Sequence, residues 1–300
     1  MEQETKPWLG LLGGAVAVLI WAGWISATRY SMTQRIDPLV LAACRNGFPA
    51  LILAPVWLRR GIIPRGANLG AVMMMTLGWG MPFTLFVGTG LVTVPASLFG
   101  PLVPGLAPLL VAALGWLIFA RIPGRGAALG LVLMAVALTA VLGQWIARGA
   151  WDEMGGLPFL FMASLGISIF TVMLPRSGLT PVEGTAYICL YSLPFLALAT
   201  VLMPEAFIGL APSEIAFQVL VQGFLTGLFA VLAYGVAIRH LGPLRGSTAN
   251  ALVPVMAAIF AITLLAESLT PLDWVAVACS SLGVAAVNGV FDRWLGTAKR

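Results

Sequence analysis

The chain has 300 residues, of which 60% are apolar and only 9% are charged. Soluble domains carry roughly 25% charged residues, so this composition excludes a soluble domain and indicates an integral membrane protein. The net charge of +5 is spread over the ends of apolar segments without a dense basic run, which argues against a nucleic-acid partner.

Ten apolar segments follow one another along the chain, and each has about the 20 residues that a helix needs to cross a bilayer. Breakers such as Asp37-Pro38 and Thr180-Pro181 separate them. We call them spans 1 to 10, and their predicted bounds are 8–28, 38–58, 68–91, 95–119, 126–147, 157–174, 182–202, 214–238, 246–265 and 272–290. The sequence therefore predicts an all-α integral membrane protein with ten transmembrane helices.

Spans 1 to 5 recur as spans 6 to 10. Gly100 and Pro108 in the first half are 8 residues apart, as are Gly246 and Pro254 in the second half. Because each copy has an odd number of spans, the second copy enters the membrane from the opposite side, an inverted repeat that is typical of secondary transporters. We predict a single domain over residues 1–300, with repeat units at 8–147 and 151–291.

The basic residues predict the orientation, because cytoplasmic loops carry an excess of Lys and Arg. Twelve of the 16 basic residues lie at the termini or in the loops that follow even-numbered spans. Both termini should therefore be cytoplasmic. We expect a multi-pass protein of the inner (plasma) membrane.

Three prolines lie inside predicted helices: Pro104 and Pro108 in span 4, and Pro254 in its mate, span 9. An internal proline removes a backbone hydrogen bond and bends the helix, and the freed carbonyl is tolerated in a membrane only against protein or in a watery cavity. All three are predicted helix kinks. Spans 4 and 9 either line a central pathway or bend for packing alone.

Aromatic side chains form a second candidate group. Trp21 and Trp24 in span 1 and Trp79 in span 3 lie deeper than the aromatic belts at the membrane interfaces, and Phe83 shares a helix face with Trp79. They predict either the apolar wall of a substrate cavity or ordinary core packing.

Uncharged polar side chains recur in two spans of the second half. Gln222 and Thr226 are four residues apart in span 8, and Ser247 and Asn250 are three apart at the start of span 9, so each pair shares a helix face. Such side chains either bind a substrate or hold helices together. We expect all four to contribute hydrogen bonds to a substrate-binding site.

Arg45 is the ionisable side chain that lies best inside a predicted span. It either reaches the lipid headgroups or acts as a gate residue that attracts a substrate carboxylate or phosphate.

No Asp or Glu lies near the middle of a span, which weighs against a pump for lipophilic cations. One His, and three Cys without metal spacing, predict no metal site. No metalloprotease or nucleotide-binding motif is present, so we expect no catalytic residues, no enzyme activity and no cofactor.

Several short motifs resemble the drug/metabolite transporter superfamily, and in particular its EamA family. They are 20–24 (IWAGW), Asp37-Pro38, Arg45, 247–254 (STANALVP) and 264–270 (LLAESLT), which contains Glu267. One departure is Arg121, at the position where such repeats often have Glu. The resemblance covers nearly the whole chain. It implies a cavity enclosed mainly by spans 1, 3, 4, 6, 8 and 9, with spans 5 and 10 peripheral, as in amino-acid exporters of that family.

The predicted function is a secondary transporter that exports amino acids, including aromatic or hydrophobic ones, or similar small metabolites by alternating access. Its partners would be the small-molecule substrate and membrane lipid, and either a monomer or a homodimer fits the sequence. The alternatives are an exporter of other neutral metabolites or drugs, such as nucleobases or sugars, and a membrane scaffold or channel without a carrier cycle.

Overall fold

The computed structural model describes residues 6–120, 123–242, 246 and 248–291. The described residues are 82% helical, and no strand occurs among them. The α-helices, numbered in chain order, are α1 (Pro7–Thr33), α2 (Pro38–Ile52), α3 (Ala54–Arg60), α4 (Leu69–Trp79), α5 (Met81–Gly90), α6 (Phe99–Leu102), α7 (Ala107–Phe119), α8 (Arg125–Arg148), α9 (Trp151–Met154), α10 (Leu157–Ser177), α11 (Pro181–Leu202), α12 (Pro212–Gln218), α13 (Ala230–Leu241), α14 (Val253–Leu265) and α15 (Pro271–Val287). A π-helical segment, Val219–Phe229, joins α12 to α13, and short 3₁₀ segments cover Ala96–Leu98, Pro204–Phe207 and Ala249–Leu252.

Seven helical stretches of the described residues are long and apolar enough to cross a membrane, and they coincide with predicted spans 1 and 3 to 8. Span 2 is bent by 58° between α2 and α3, and it makes an eighth crossing if the bent pair is one span. Spans 9 and 10 correspond to the shorter apolar stretches Ala249–Leu265 and Pro271–Val287. The all-helical prediction is confirmed, whereas ten crossings and their orientation stay predictions.

Span 4 is broken into α6 and α7, and serines from other spans satisfy the carbonyls at the break. Pro104 has no N–H to offer the carbonyl four residues earlier, which belongs to Gly100. That carbonyl instead accepts the Gly105 N–H at 2.9 Å and the Ser280 hydroxyl at 3.5 Å. Ser164 donates to the Val103 carbonyl at 3.1 Å. The break is therefore tolerable in a membrane because protein hydroxyls replace the missing helix bonds.

The other two predicted kink prolines lie at helix starts. Pro108 is in the first turn of α7, and Pro254 is in the first turn of α14. A first-turn proline forfeits no helix hydrogen bond, so the bends lie in the chain before these residues. The two breaks meet, because a Cβ atom on Gly100 would lie only 2.6 Å from the Cα atom of Pro254.

Glycines also bring the two halves together at spans 3 and 6. A Cβ atom on Gly166 of α10 would lie 2.1 Å from the carbonyl oxygen of Gly78 in α4. No side chain fits at that distance, so these helices cross backbone to backbone, as small residues allow in membrane proteins. Side chains of both halves form one main hydrophobic core.

Glu267 ties the end of span 9 to the start of span 4. Its carboxylate oxygens accept the backbone N–H groups of Ala96 and Ser97, each at 2.9 Å. The Arg29 Nε atom lies 4.0 Å from the same carboxylate. The corresponding residue of the first half, Arg121, lies outside the described residues.

Candidate substrate-binding site

Three of the four predicted aromatic residues pack together in the main hydrophobic core. The Trp79 and Phe83 ring centroids are 4.3 Å apart, and those of Trp24 and Phe83 are 6.2 Å apart. Trp24 comes from α1, Trp79 ends α4, and Phe83 lies one turn into α5. The short break between α4 and α5 therefore lets one span present two aromatic rings to the same point. We call these three side chains the aromatic cluster.

The Arg45 side chain lies against all three rings of the aromatic cluster. Its Cζ atom is 4.7 Å from the Trp24 ring centroid and 5.6 Å from the Trp79 and Phe83 centroids. The residue is 6% exposed, so the alternative in which Arg45 reaches the headgroups is wrong for this structure. Among the described residues the guanidinium has no carboxylate partner, and its buried Nη1 atom has no hydrogen bond. Arg45 is therefore a buried cation whose contacts with the aromatic rings partly offset its charge, with no counter-ion in the described part of the chain.

Two glycines of the π-helical segment allow α2 to bring Arg45 to this depth. A Cβ atom on Gly223 would lie 2.8 Å from the Cys44 carbonyl oxygen, and one on Gly227 would lie 3.1 Å from the Arg45 carbonyl oxygen. Side chains at either position would push α2 away. The spacing is G-x-x-x-G, a motif of close helix packing in membranes, and it is the sequence signal by which this contact could have been found.

The polar stripe of span 8 faces α1 and is largely occupied by contacts to it. The Gln222 Oε1 atom accepts the Trp24 indole N–H at 2.6 Å, and the Gln222 amide donates to the Thr28 hydroxyl at 3.2 Å. Gln218 donates to the Ser31 hydroxyl at 2.7 Å. The Thr226 hydroxyl donates to a carbonyl of its own segment at 2.7 Å. In this conformation Gln222 holds two helices together and orients the Trp24 ring.

A second polar group lies beside Trp21, away from the aromatic cluster. The Trp21 ring packs on Tyr234, with 5.3 Å between ring centroids. The Asn250 amide donates to the Tyr234 hydroxyl at 3.4 Å, while the buried Oδ1 atom of Asn250 has no hydrogen-bond partner among the described residues. Ser247, which was predicted to accompany Asn250, lies outside the described residues.

The two groups are about one helical turn apart along α1, because Trp21 and Trp24 are three residues apart and a helix rises about 1.5 Å per residue. Arg45 offers an unpaired charged donor at one level, and Asn250 offers an unpaired acceptor at the other. Buried polar atoms are nearly always hydrogen-bonded in folded proteins. Both atoms are therefore candidate contacts for a polar ligand, as are other buried unpaired atoms such as Gln218 Oε1 and Thr84 Oγ1.

A cavity of about 530 Å³ adjoins the aromatic cluster between α1, the π-helical segment and the end of α14. Trp24 and Thr226 line it, as does Ser26, whose buried hydroxyl has no partner among the described residues. The volume lies within the roughly 300–1,000 Å³ that is usual for small-molecule pockets. The rest of the lining is mostly apolar and suits the apolar body of a ligand, whereas Arg45, Trp79 and Asn250 do not line this cavity. Within the described part of the chain, no group of three or more His, Cys, Asp and Glu side chains is placed to hold a metal ion.

Comparison with known proteins gives the family. The chain matches the EamA-like transporter family twice, over residues 8–143 and 154–289. No curated protein matches it significantly. A solved crystal structure superposes on it with a TM-score of 0.59 at 20% sequence identity, over 95% of this chain and 98% of the other, a likeness of fold alone. Two matched copies together cover most of the sequence, and the chain belongs to the EamA-like transporter family.

Proposed function

We propose that this protein is a secondary transporter that exports amino acids, aromatic and hydrophobic ones among them, or similar small zwitterionic metabolites. Membership of a transporter family supports a small-molecule substrate. An amino acid carries a carboxylate that accepts hydrogen bonds and an ammonium group that donates them, and the site has an unpaired atom for each.

One observation carries the proposal: Arg45 is buried among aromatic rings without a counter-ion in the described structure. A charged side chain inside a membrane protein is costly and is usually retained for function. A substrate carboxylate would supply the missing counter-ion. Asn250 Oδ1 would accept from the ammonium group, Trp24, Trp79 and Phe83 would contact the side chain of the substrate, and Trp21, Gln222, Thr226 and Ser247 would complete the site.

The proposed cycle is alternating access across ten spans, with both termini in the cytoplasm and the protein in the inner membrane. The two repeats, 8–147 and 151–291, would rock about the inverted-repeat axis while the site stays near the midplane. Glu267, together with Arg29 and the start of span 4, would close the outer end of the pathway. Arg45 would then serve as a carboxylate-binding group beside the outer gate.

The test is transport by the purified full-length protein in liposomes, with a panel of labelled amino acids. We expect saturable uptake that is stimulated by unlabelled amino acid on the opposite side of the membrane. A carrier must turn its binding site back to the first side before it can carry the next molecule. A channel or a scaffold predicts no such stimulation, and the absence of flux across the panel would refute the proposal.

Two variants separate the site from the fold in the same assay. Trp79→Ala should lower transport about 2- to 10-fold, since an aromatic contact is worth about 0.5–1.5 kcal/mol beyond its buried area. The matched control is Trp116→Ala, because Trp116 is 61% exposed on α7 and lies outside the aromatic cluster. Equal losses from both variants would show that the aromatic cluster has no special role.

A further inference from the structure

The site contains one buried cation and no anion among the described residues. Every described Asp and Glu lies at a helix cap, in a first turn or in a connecting segment. Trp24, Trp79 and Phe83 contact the Arg45 guanidinium, the Cys189 thiol lies close enough to interact with it electrostatically, and Gln222 is hydrogen-bonded to Trp24. The local charge is therefore +1, and nothing in the cluster neutralises it.

Because the site carries a positive charge, it interacts differently with the carboxylate and with the ammonium group of an amino acid. The carboxylate meets a guanidinium, and charge-assisted hydrogen bonds of this kind are about twice as strong as neutral ones. The ammonium group meets only neutral acceptors, such as Asn250 Oδ1, while it loses its own water. The site therefore requires the carboxylate and gains little from the amino group.

Building on the proposed function, we infer that the same site also carries small aromatic monocarboxylates that have no amino group. The carboxylate of such a substrate pairs with the Arg45 guanidinium, and its ring packs against Trp24, Trp79 and Phe83. It also brings no second charge to bury. The corresponding amine, which has no carboxylate, would bring a second positive charge next to Arg45 and should be rejected.

Transport of a monocarboxylate differs from transport of an amino acid in the charge that crosses the membrane. A zwitterion crosses the membrane without net charge, whereas a monocarboxylate carries one negative charge outward. At equilibrium, an inside-negative potential of 100 mV keeps the concentration of a monoanion about 50-fold higher outside than inside. This ratio is equivalent to about 2.3 kcal/mol per elementary charge. Export of the anion is thus electrogenic and needs no coupling ion.

The experiment compares three molecules with one carbon skeleton: L-phenylalanine, 3-phenylpropanoate, which lacks the amino group, and phenethylamine, which lacks the carboxylate. Each labelled compound is loaded into liposomes that contain the full-length protein at neutral pH. A potassium gradient with valinomycin then sets the potential negative or positive inside. Protein-free liposomes report passive leakage, which is subtracted.

We expect protein-dependent efflux of 3-phenylpropanoate that is accelerated by an inside-negative potential and slowed by an inside-positive one. Efflux of L-phenylalanine should not respond to the potential, and phenethylamine should not be carried. Arg45→Gln should lower efflux of 3-phenylpropanoate about 10-fold or more, while Arg45→Lys keeps part of it because the charge remains.

Transport of L-phenylalanine without protein-dependent flux of 3-phenylpropanoate would overturn this inference alone and leave the proposed function standing. Flux of the amine equal to that of the acid, or efflux of the acid that ignores the potential, would also overturn it. Absence of flux for all three compounds would overturn the proposed function as well. These comparisons use the unmodified protein, so they do not depend on how well a variant folds.

Discussion

Replacing Arg45 with methionine should make the protein more stable, although the side chain is buried. Burying an ion costs several kcal/mol even after the structure relaxes. Against this cost stand three aromatic rings at 4.7–5.6 Å from the guanidinium carbon, each worth about 0.5–2 kcal/mol. No carboxylate helps, and the unpaired Nη1 atom adds a further penalty of about 1–3 kcal/mol. Methionine removes the charge and fills similar space, so we expect a gain of about 1–4 kcal/mol, as for other buried ionic groups.

The assay is thermal unfolding of the purified protein in detergent, with Arg29→Met as the matched control. Arg29 donates to the Leu91 and Val92 carbonyls at 2.5 Å each and lies 4.0 Å from Glu267. The same substitution there removes satisfied contacts and should lower the midpoint. A change of 1 kcal/mol shifts the midpoint by about 2–4 °C in chains of this order of size. We expect the unfolding midpoint to rise in Arg45→Met and to fall in Arg29→Met. Transport should be lost in Arg45→Met, which is a stability–activity trade-off. A midpoint that falls in both variants would show that the buried charge of Arg45 does not destabilise the protein.

Three further predictions concern the scaffold, and thermal unfolding measures each. Glu267→Ala should lower the free energy of unfolding by about 1–3 kcal/mol, because two backbone N–H groups lose their acceptor; an unchanged midpoint would contradict this. Gly166→Ala should cost about 1–3 kcal/mol or more through overlap with the facing backbone. Gly143→Ala is its control, since a Cβ atom there meets nothing within 4 Å, and equal costs would be inconsistent with the packing described. Gln222→Leu should cost about 1–3 kcal/mol by leaving the Trp24 indole N–H unpaired, and combining it with Trp24→Phe should recover part of that loss.

The aromatic cluster could be predicted in large part from the sequence. Trp24, Trp79 and Phe83 lie at depths that do not fit the interfacial belts, and side chains of that size must pack against something in the core. Trp21 belongs with them by sequence depth, but three residues on a helix change the direction of a side chain by about 60°. Its ring therefore meets Tyr234 on another helix.

The burial of Arg45 could be predicted only in part, because its depth within span 2 fits both a headgroup contact and a core position, and the G-x-x-x-G motif predicts close helix packing without saying which helix packs there. The outcome depends on Gly223 and Gly227, which lie in the other half of the chain and let α2 approach. The same limit applies to Gln222. Its position on a polar stripe is visible in the sequence, but its partners, Trp24 and Thr28, are set by helix pairing between the halves. Periodicity describes one helix at a time and contains no information about such pairings.

The proposed transport function depends on binding of the substrate carboxylate by the Arg45 guanidinium. Equilibrium binding of L-phenylalanine and L-phenylalaninamide, to the unmodified protein and to Arg45→Met, is the most direct test, because the amide keeps the carbon skeleton and replaces the carboxylate with an uncharged carboxamide. We expect the unmodified protein to prefer the amino acid by about 10- to 100-fold, equivalent to a charged hydrogen bond of about 1.5–3 kcal/mol, and Arg45→Met to show no preference. The same preference in both proteins would contradict binding of the carboxylate by Arg45.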